Sequence, residues 1–230
     1  MKDIFIITSV INTGTEKWSY TNIRSVYSPQ ERFKQTLKTI ESIRNLNDDS
    51  LILLIECSDI SNIYDSKESI GNNKMETIFK EKTDIYINCF DNQEAKKSCL
   101  NTHKKGYGEV VKSFIAVDYI LKNNIDFNRI FKISGRYELN YSFDKNNYSN
   151  DKYTFKTSND NDYSFHTVLY SVPHNLLINY LYILKECIKI YEYQVVGLET
   201  LLPPMCNPKQ TIKTIGVSGY CAVDGSTYFS

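Results

Sequence analysis

Ser134, Gly135 and Arg136 follow directly on a short apolar alternation, Phe131 and Ile133, in the stretch FKISGRYEL (131–139). A guanidinium at the end of a buried strand either holds an anion, offering fixed charge and a planar fork to phosphate oxygens, or pairs with a surface carboxylate. Upstream, HKKGYGEVV (103–111) sets Lys105, Gly106 and Gly108 just ahead of an amphipathic run. Free N–H groups at a helix start favour an anion, although the same glycines also serve simple turns. Downstream, VVGLETLLPPM (195–205) carries Glu199 after a glycine. That carboxylate is either a proton acceptor for a hydroxyl or a capping or solvent-facing residue, and Asp224 in AVDGS is the reserve for the same role.

Other chemistries find little support. His103, His166 and His174 are isolated, and the six cysteines form no Cys-x-x-Cys pair, so no zinc site is predicted. GVSGY (216–220) lacks the glycine spacing of a hydrolase elbow, and no Walker-type loop is present.

The elements that must carry these residues read as alternating strands and helices. DIFIITSV (3–10) is a continuous β-branched run, expected of a strand covered on both faces. SPQE (28–31) supplies an N-cap serine, a proline at the first helical position and a glutamate that closes a capping box. The helix it opens puts Phe33, Leu37, Ile40 and Ile43 on one face. SLILLIECSD (50–59) and TDIYINCF (83–90) are further strands, with a helix and loop between them. Residues 104–123 are a glycine-punctuated loop that opens a helix, with Val111, Phe114, Ile115 and Ala116 near its buried face, and RIFKIS (129–134) is the fourth strand. The alternation predicts an α/β fold with a largely parallel central sheet and helices on both faces. Beyond residue 140 the pattern loosens: strands at 152–157 and 165–173, a helix over 174–193, and one or two closing strands. With no repeat and no linker, a single domain of residues 1–230 is expected, 1–140 and 141–230 forming its halves.

Composition narrows the partners. Lysine plus arginine and aspartate plus glutamate both number 27. Zero net charge argues against a nucleic-acid partner that works by phosphate neutralisation. No apolar run reaches the ~18 residues needed to span a bilayer, and the N-terminal run reads as a strand rather than a signal peptide. Scattered cysteines suit reduced thiols in a cytoplasmic protein. The 18 tyrosines permit a sugar site, since a ring stacks on a sugar face while its hydroxyl bonds the rim; an A/T-rich coding bias produces the same count.

HKKGYGEVVKSFIAVDYIL followed by RIFKISGRYEL resembles a segment of GT-A-fold glycosyltransferases. In the inverting, family-two-type members a loose Asn-x-Gly-x-Gly loop, a helix and an apolar strand end in Asp-x-Asp. The resemblance covers residues 3–140 as a pattern and is specific only over 103–139. It implies a transferase that moves a sugar from a nucleotide-sugar donor to a glycan acceptor, in synthesis of a surface polysaccharide. Base and ribose are then expected near Thr8, Ser9, Glu56 and Asp59, with Arg24 also on the donor side. The diphosphate belongs between Lys105, Gly106, Gly108 and the Ser134, Gly135, Arg136 turn, and Glu199 is the base. The departure is at the metal motif. Where the family has paired carboxylates this chain has Ser134-Gly135-Arg136, so no cofactor is expected, a divalent metal is unsupported, and Arg136 stands in for the cation. The alternative is a non-catalytic glycan- or nucleotide-binding domain that kept the fold. A nucleotidyltransferase would need a glycine- and basic-rich signature after the first strand, where TSVINTGTEKW offers only Gly14 and Lys17.

Overall fold

Strand β1 (Ile4–Ser9) is buried along its whole length. Successive side chains point to opposite faces, so Ile4 and Ile6 enter one hydrophobic core while Phe5 and Ile7 enter another. The computed structural model describes residues 1–46, 49–60, 74–148, 151–157 and 165–230. After β1 come α1 (Pro29–Arg44), β2 (Leu51–Glu56), α2 (Met75–Lys82), β3 (Ile85–Asn88), α3 (Gln93–Leu100), α4 (Tyr107–Lys122), β4 (Arg129–Ser134) and β5 (Tyr137–Leu139). The rest of the chain forms β6 (Tyr153–Thr157), β7 (Phe165–Pro173), α5 (Leu177–Tyr193), α6 (Leu198–Met205), β8 (Lys209–Ile212), β9 (Val217–Tyr220) and β10 (Thr227–Phe229).

Among the described residues, seven strands form one sheet in the order β3-β2-β1-β4-β7-β6-β8. Pairings from β3 through β4 are parallel. β7 runs antiparallel to both neighbours, and β8 lies parallel to β6. α1 and α2 cover one face; α3, α4, α5 and α6 cover the other. This is the mixed α/β fold, with a largely parallel sheet between helices, that the alternation predicts. β5, β9 and β10 make a second, three-stranded antiparallel sheet, which the sequence pattern does not anticipate.

Several boundaries differ for physical reasons. The strand expected over 83–90 is shorter, because Thr83 caps the end of α2 and Cys89 already turns toward α3. QEAKKSCL is too short and too polar for its periodicity to announce α3. In α4, Val111 and Ala116 are buried as expected, but Phe114 and Ile115 are only half-buried. The inner face instead runs through Val110, Lys112, Ser113, Val117 and Ile120. In α1, Leu37 is likewise half-buried while Phe33, Ile40 and Ile43 are buried. The first part of the helix and loop expected between the second and third strands lies outside the described residues.

The N-cap of α1 is built as the sequence requires. Glu31 N–H donates to Ser28 Oγ at 3.3 Å and Ser28 N–H donates to Glu31 Oε2 at 2.8 Å. The Ser28 N–H, joined by Ser28 Oγ donating to the same Glu31 Oε2 at 2.8 Å, holds the Glu31 carboxyl below its ordinary pKa. Ser28→Ala is expected to lower stability by about 1 kcal/mol, measured by urea unfolding with an unchanged slope. A neutral result would mean that tertiary packing alone sets the start of α1.

Candidate functional site

β1 lies between β2 and β4, so the strand order reverses between β1 and β4. Open α/β sheets bind ligands beyond the carboxyl ends of their strands at such a point. Thr8 and Ser134, register partners at those two ends, line a cavity of about 110 Å³. Trp18 and Arg24 of the loop after β1, Arg32 of α1, Lys105, Gly108, Glu109 and Lys112 around the start of α4, and Arg136 complete much of its wall. A second cavity of about 280 Å³ shares Lys105 and Glu109 with the first and adds Tyr20, Gly106, Gly197 and Glu199. The two chambers therefore meet at the first turn of α4.

The charge of the first chamber is one-sided. Five cationic side chains and a single carboxylate, Glu109, line it. Arg32 and Lys112 are 6% and 5% exposed, and their fixed bonds go to neutral groups. Arg32 Nε donates to Val10 O at 2.6 Å, and Lys112 Nζ donates to Ser9 O at 2.8 Å. Burial, reinforced by the nearby Arg136 charge, pushes the Arg32 guanidinium down to about 9, so it keeps its proton at neutral pH. Among the described residues, no carboxylate forms an ion pair with Arg32, Lys112 or Arg136. The Arg136 Nε is buried without a hydrogen-bond partner. Buried charges left this way cost several kcal/mol unless an anion meets them.

The lone carboxylate is itself held. Lys132 is fully buried, on the α4 side of β4, and its ammonium donates to Glu109 Oε1, to Ser134 Oγ at 3.1 Å and to Thr167 O at 3.2 Å. Burial pulls the Lys132 pKa down while Glu109 opposes that shift. Thr167 in turn donates through Oγ1 to Glu199 Oε1 at 3.2 Å. One buried ammonium thus ties the end of β4 to a carboxylate in each direction.

The predicted site residues divide into three groups. Thr8, Arg24, Lys105, Gly108, Ser134 and Arg136 come together on the first chamber, and Gly106 and Glu199 on the second. Ser9 and Gly135 are engaged in holding the frame, as Arg24 also is from its place on the chamber wall. Ser9 Oγ bonds Thr36 Oγ1 at 3.2 Å, and a Cβ on Gly135 would meet that same Thr36 oxygen at 3.0 Å, which is why the strand ends in glycine. Arg24 stacks on Trp18 at 3.9 Å and donates to the carbonyls of Glu16 and Thr102, each at 2.8 Å, and of Cys99.

Glu56 and Asp59 are not brought to this site. Glu56 is fully buried, and its Oε1 accepts from Ile11 N–H at 2.9 Å and from Ser58. Asp59 lines a separate cleft with Glu76, Lys80 and Asp91. Gly106 is the N-cap of α4 while Gly108, expected ahead of the helix, lies inside its first turn, and both have a packing role, since a Cβ would lie 2.2 Å from the Tyr191 hydroxyl at Gly106 and 2.7 Å from Cys99 Sγ at Gly108. The reserve carboxylate, Asp224, is exposed and accepts from Ser226 N–H and Oγ at 3.0 and 2.7 Å. Those bonds pull it down to about 2, too acidic for an effective base near neutral pH.

Residues at the end of β4 do not fit a divalent cation. A hard cation takes carboxylate oxygens, and Arg136 offers the opposite charge. Among the described residues, no three of His, Cys, Asp and Glu come together in a metal-holding group. No helix among them is long and apolar enough to cross a membrane.

No protein-family model matches the chain, and no curated protein matches it in sequence. Solved structures do resemble its chain path. The glycosyltransferase GlyE of Streptococcus pneumoniae matches at 8% identity and TM-score 0.48, over 92% of this chain and 45% of that one. This chain therefore spans less than half the length of that protein. A glycosyltransferase involved in glycosylation of the major capsid of PBCV-1 matches at 9% identity and TM-score 0.44, over 93% and 82%. A nucleoside-diphosphate-sugar pyrophosphorylase from Vibrio cholerae matches at 10% identity and TM-score 0.45, over 93% of both chains.

Proposed function

We propose that this chain is a GT-A-like glycosyltransferase whose side-chain cations take the place of a divalent metal. It moves a sugar from a nucleotide-sugar donor to a glycan acceptor, with surface polysaccharide synthesis as the pathway. The observation that carries the reading is the cluster of Arg32, Lys112 and Arg136, without carboxylate partners among the described residues, at the switch point of the sheet. A diphosphate satisfies all three and relieves the repulsion between Arg32 and Arg136. The acceptor occupies the second chamber, between Tyr20 and Glu199, where an exposed tyrosine ring suits a sugar face. Glu199 takes the proton of the attacking hydroxyl, the bond from the anomeric carbon to the diphosphate breaks, and its electrons leave on the phosphate oxygen.

Calorimetric titration with nucleoside diphosphates tests the reading, joined to a nucleotide-sugar hydrolysis screen. Micromolar binding is expected, and turnover is expected to survive EDTA, because the charge that neutralises the diphosphate is covalently part of the chain. Activity lost in EDTA and restored by manganese or magnesium would mean that metal ligands lie elsewhere. The missing carboxylates at 134–136 also favour a second reading, a non-catalytic glycan- or nucleotide-binding domain. Absence of binding to any nucleoside diphosphate or nucleotide sugar would favour its glycan-binding form.

A further inference from the structure

We infer that Glu109 is the carboxylate of the reaction centre, a fixed negative charge facing the anomeric carbon, and that Lys132 is its positioning residue. This rests on the donor reading above. A donor sugar tied to a diphosphate in the first chamber and attacked from the second has to lie where the chambers meet. Glu109 is the carboxylate on both walls. Its side chain remains 25% exposed, while that of Lys132 is only 1% exposed. The three protons of the Lys132 ammonium are all committed, to Glu109, Ser134 and Thr167. The carboxylate is therefore held in place before any substrate arrives.

Glycosyl transfer builds positive charge on the anomeric carbon as the leaving group departs. A preorganised anion beside that carbon stabilises the transition state without reorganisation. Glu109 forms no bond to the sugar in this scheme. The leaving diphosphate takes the electron pair of the broken bond, the acceptor oxygen forms the new one, and the released proton goes to Glu199. A purely structural ion pair would fill the same space, so the test must separate charge from packing.

Two variants do so: Glu109→Gln, and Glu109→Gln with Lys132→Met, which leaves no lysine buried without a partner. Inorganic pyrophosphate binding is read by calorimetry, and nucleoside diphosphate release is read from a panel of nucleotide sugars. Both variants are expected to lose turnover by ~10²–10³-fold. Pyrophosphate affinity is expected to hold or rise in the single variant, since a negative charge has left the chamber, and to hold in the double variant, since a whole ion pair has left. A folded double variant with turnover within about threefold of wild type overturns the inference and leaves the donor reading intact. Parallel loss of pyrophosphate binding and turnover also overturns it, reducing Glu109 to a packing role. Wild-type protein that binds pyrophosphate but releases no nucleoside diphosphate overturns it in favour of the non-catalytic reading. If wild type does not bind pyrophosphate at all, the donor reading falls and this inference with it.

Discussion

Glu199→Gln is expected to lower kcat by ~10²–10⁴-fold while donor affinity and Tm barely move. Glutamine keeps the size of the side chain and the oxygen that Thr167 Oγ1 bonds at 3.2 Å, but it cannot take a proton. Glu199 sits in the first turn of α6, exposed and on the wall of the second chamber. Its loss should therefore leave the core untouched. Steady-state kinetics and calorimetry on the same preparation distinguish the outcomes. A variant that turns over near the wild-type rate moves the base to another group. Asp224 is a poor successor, because its carboxylate closes a turn on Ser226. A variant that unfolds assigns Glu199 to the scaffold.

Arg136→Ala is expected to weaken nucleoside diphosphate binding by ~1.5–3 kcal/mol, the range for a charge-assisted hydrogen bond, or about 10- to 150-fold in Kd. The backbone around Arg136 is fixed independently of its side chain. Gly135 N–H donates to Thr8 O at 3.0 Å and Arg136 N–H donates to Ser134 O at 2.8 Å, so truncation should not move the turn. Arg136→Lys should recover only part of the loss, because a point charge cannot reproduce a two-pronged contact. Removing a cation also eases the repulsion on Arg32, which works against the loss. Unchanged affinity in a folded alanine variant would make Arg136 a structural residue.

Much of the frame was legible because its signals are local. The β-branched runs, the SPQE cap and the glycines at the start of α4 each declare themselves within a few residues. Arg136 and Glu199, which line the two chambers, carried the same kind of local signal, Arg136 just past a strand end and Glu199 two residues after a glycine. Arg32 and Lys112 were not, because a cation on an amphipathic helix looks solvent-facing until the sheet it packs on is known. Lys132 did leave a signal. In RIFKIS it shares a sheet face with Ile130, and a lysine at a core position demands a partner, which α4 supplies through Glu109. Glu56 misled in the opposite sense. A carboxylate at a strand end suggests a ligand contact, yet it accepts the amide of Ile11 and so ties down the loop after β1.

The Ser134–Arg136 turn leads straight into β5, which among the described residues pairs with β9 alone, far along the chain. A Cβ on Gly219 of that strand would lie 2.4 Å from the Arg136 carbonyl, and Ala222 and Val223 beyond it line the first chamber. During vectorial synthesis the helices and strands of the first half emerge well before residues 217–229 exist. At that stage β1, β2 and β4 are already made, while β5, which follows the turn that bears Arg136, has no strand to pair with. Closing that long loop carries its own entropic cost. The wall that Ala222 and Val223 give the first chamber is therefore the last part of it to be synthesised, and under the proposed function a diphosphate that contacts only the completed chamber would favour the docked hairpin by mass action.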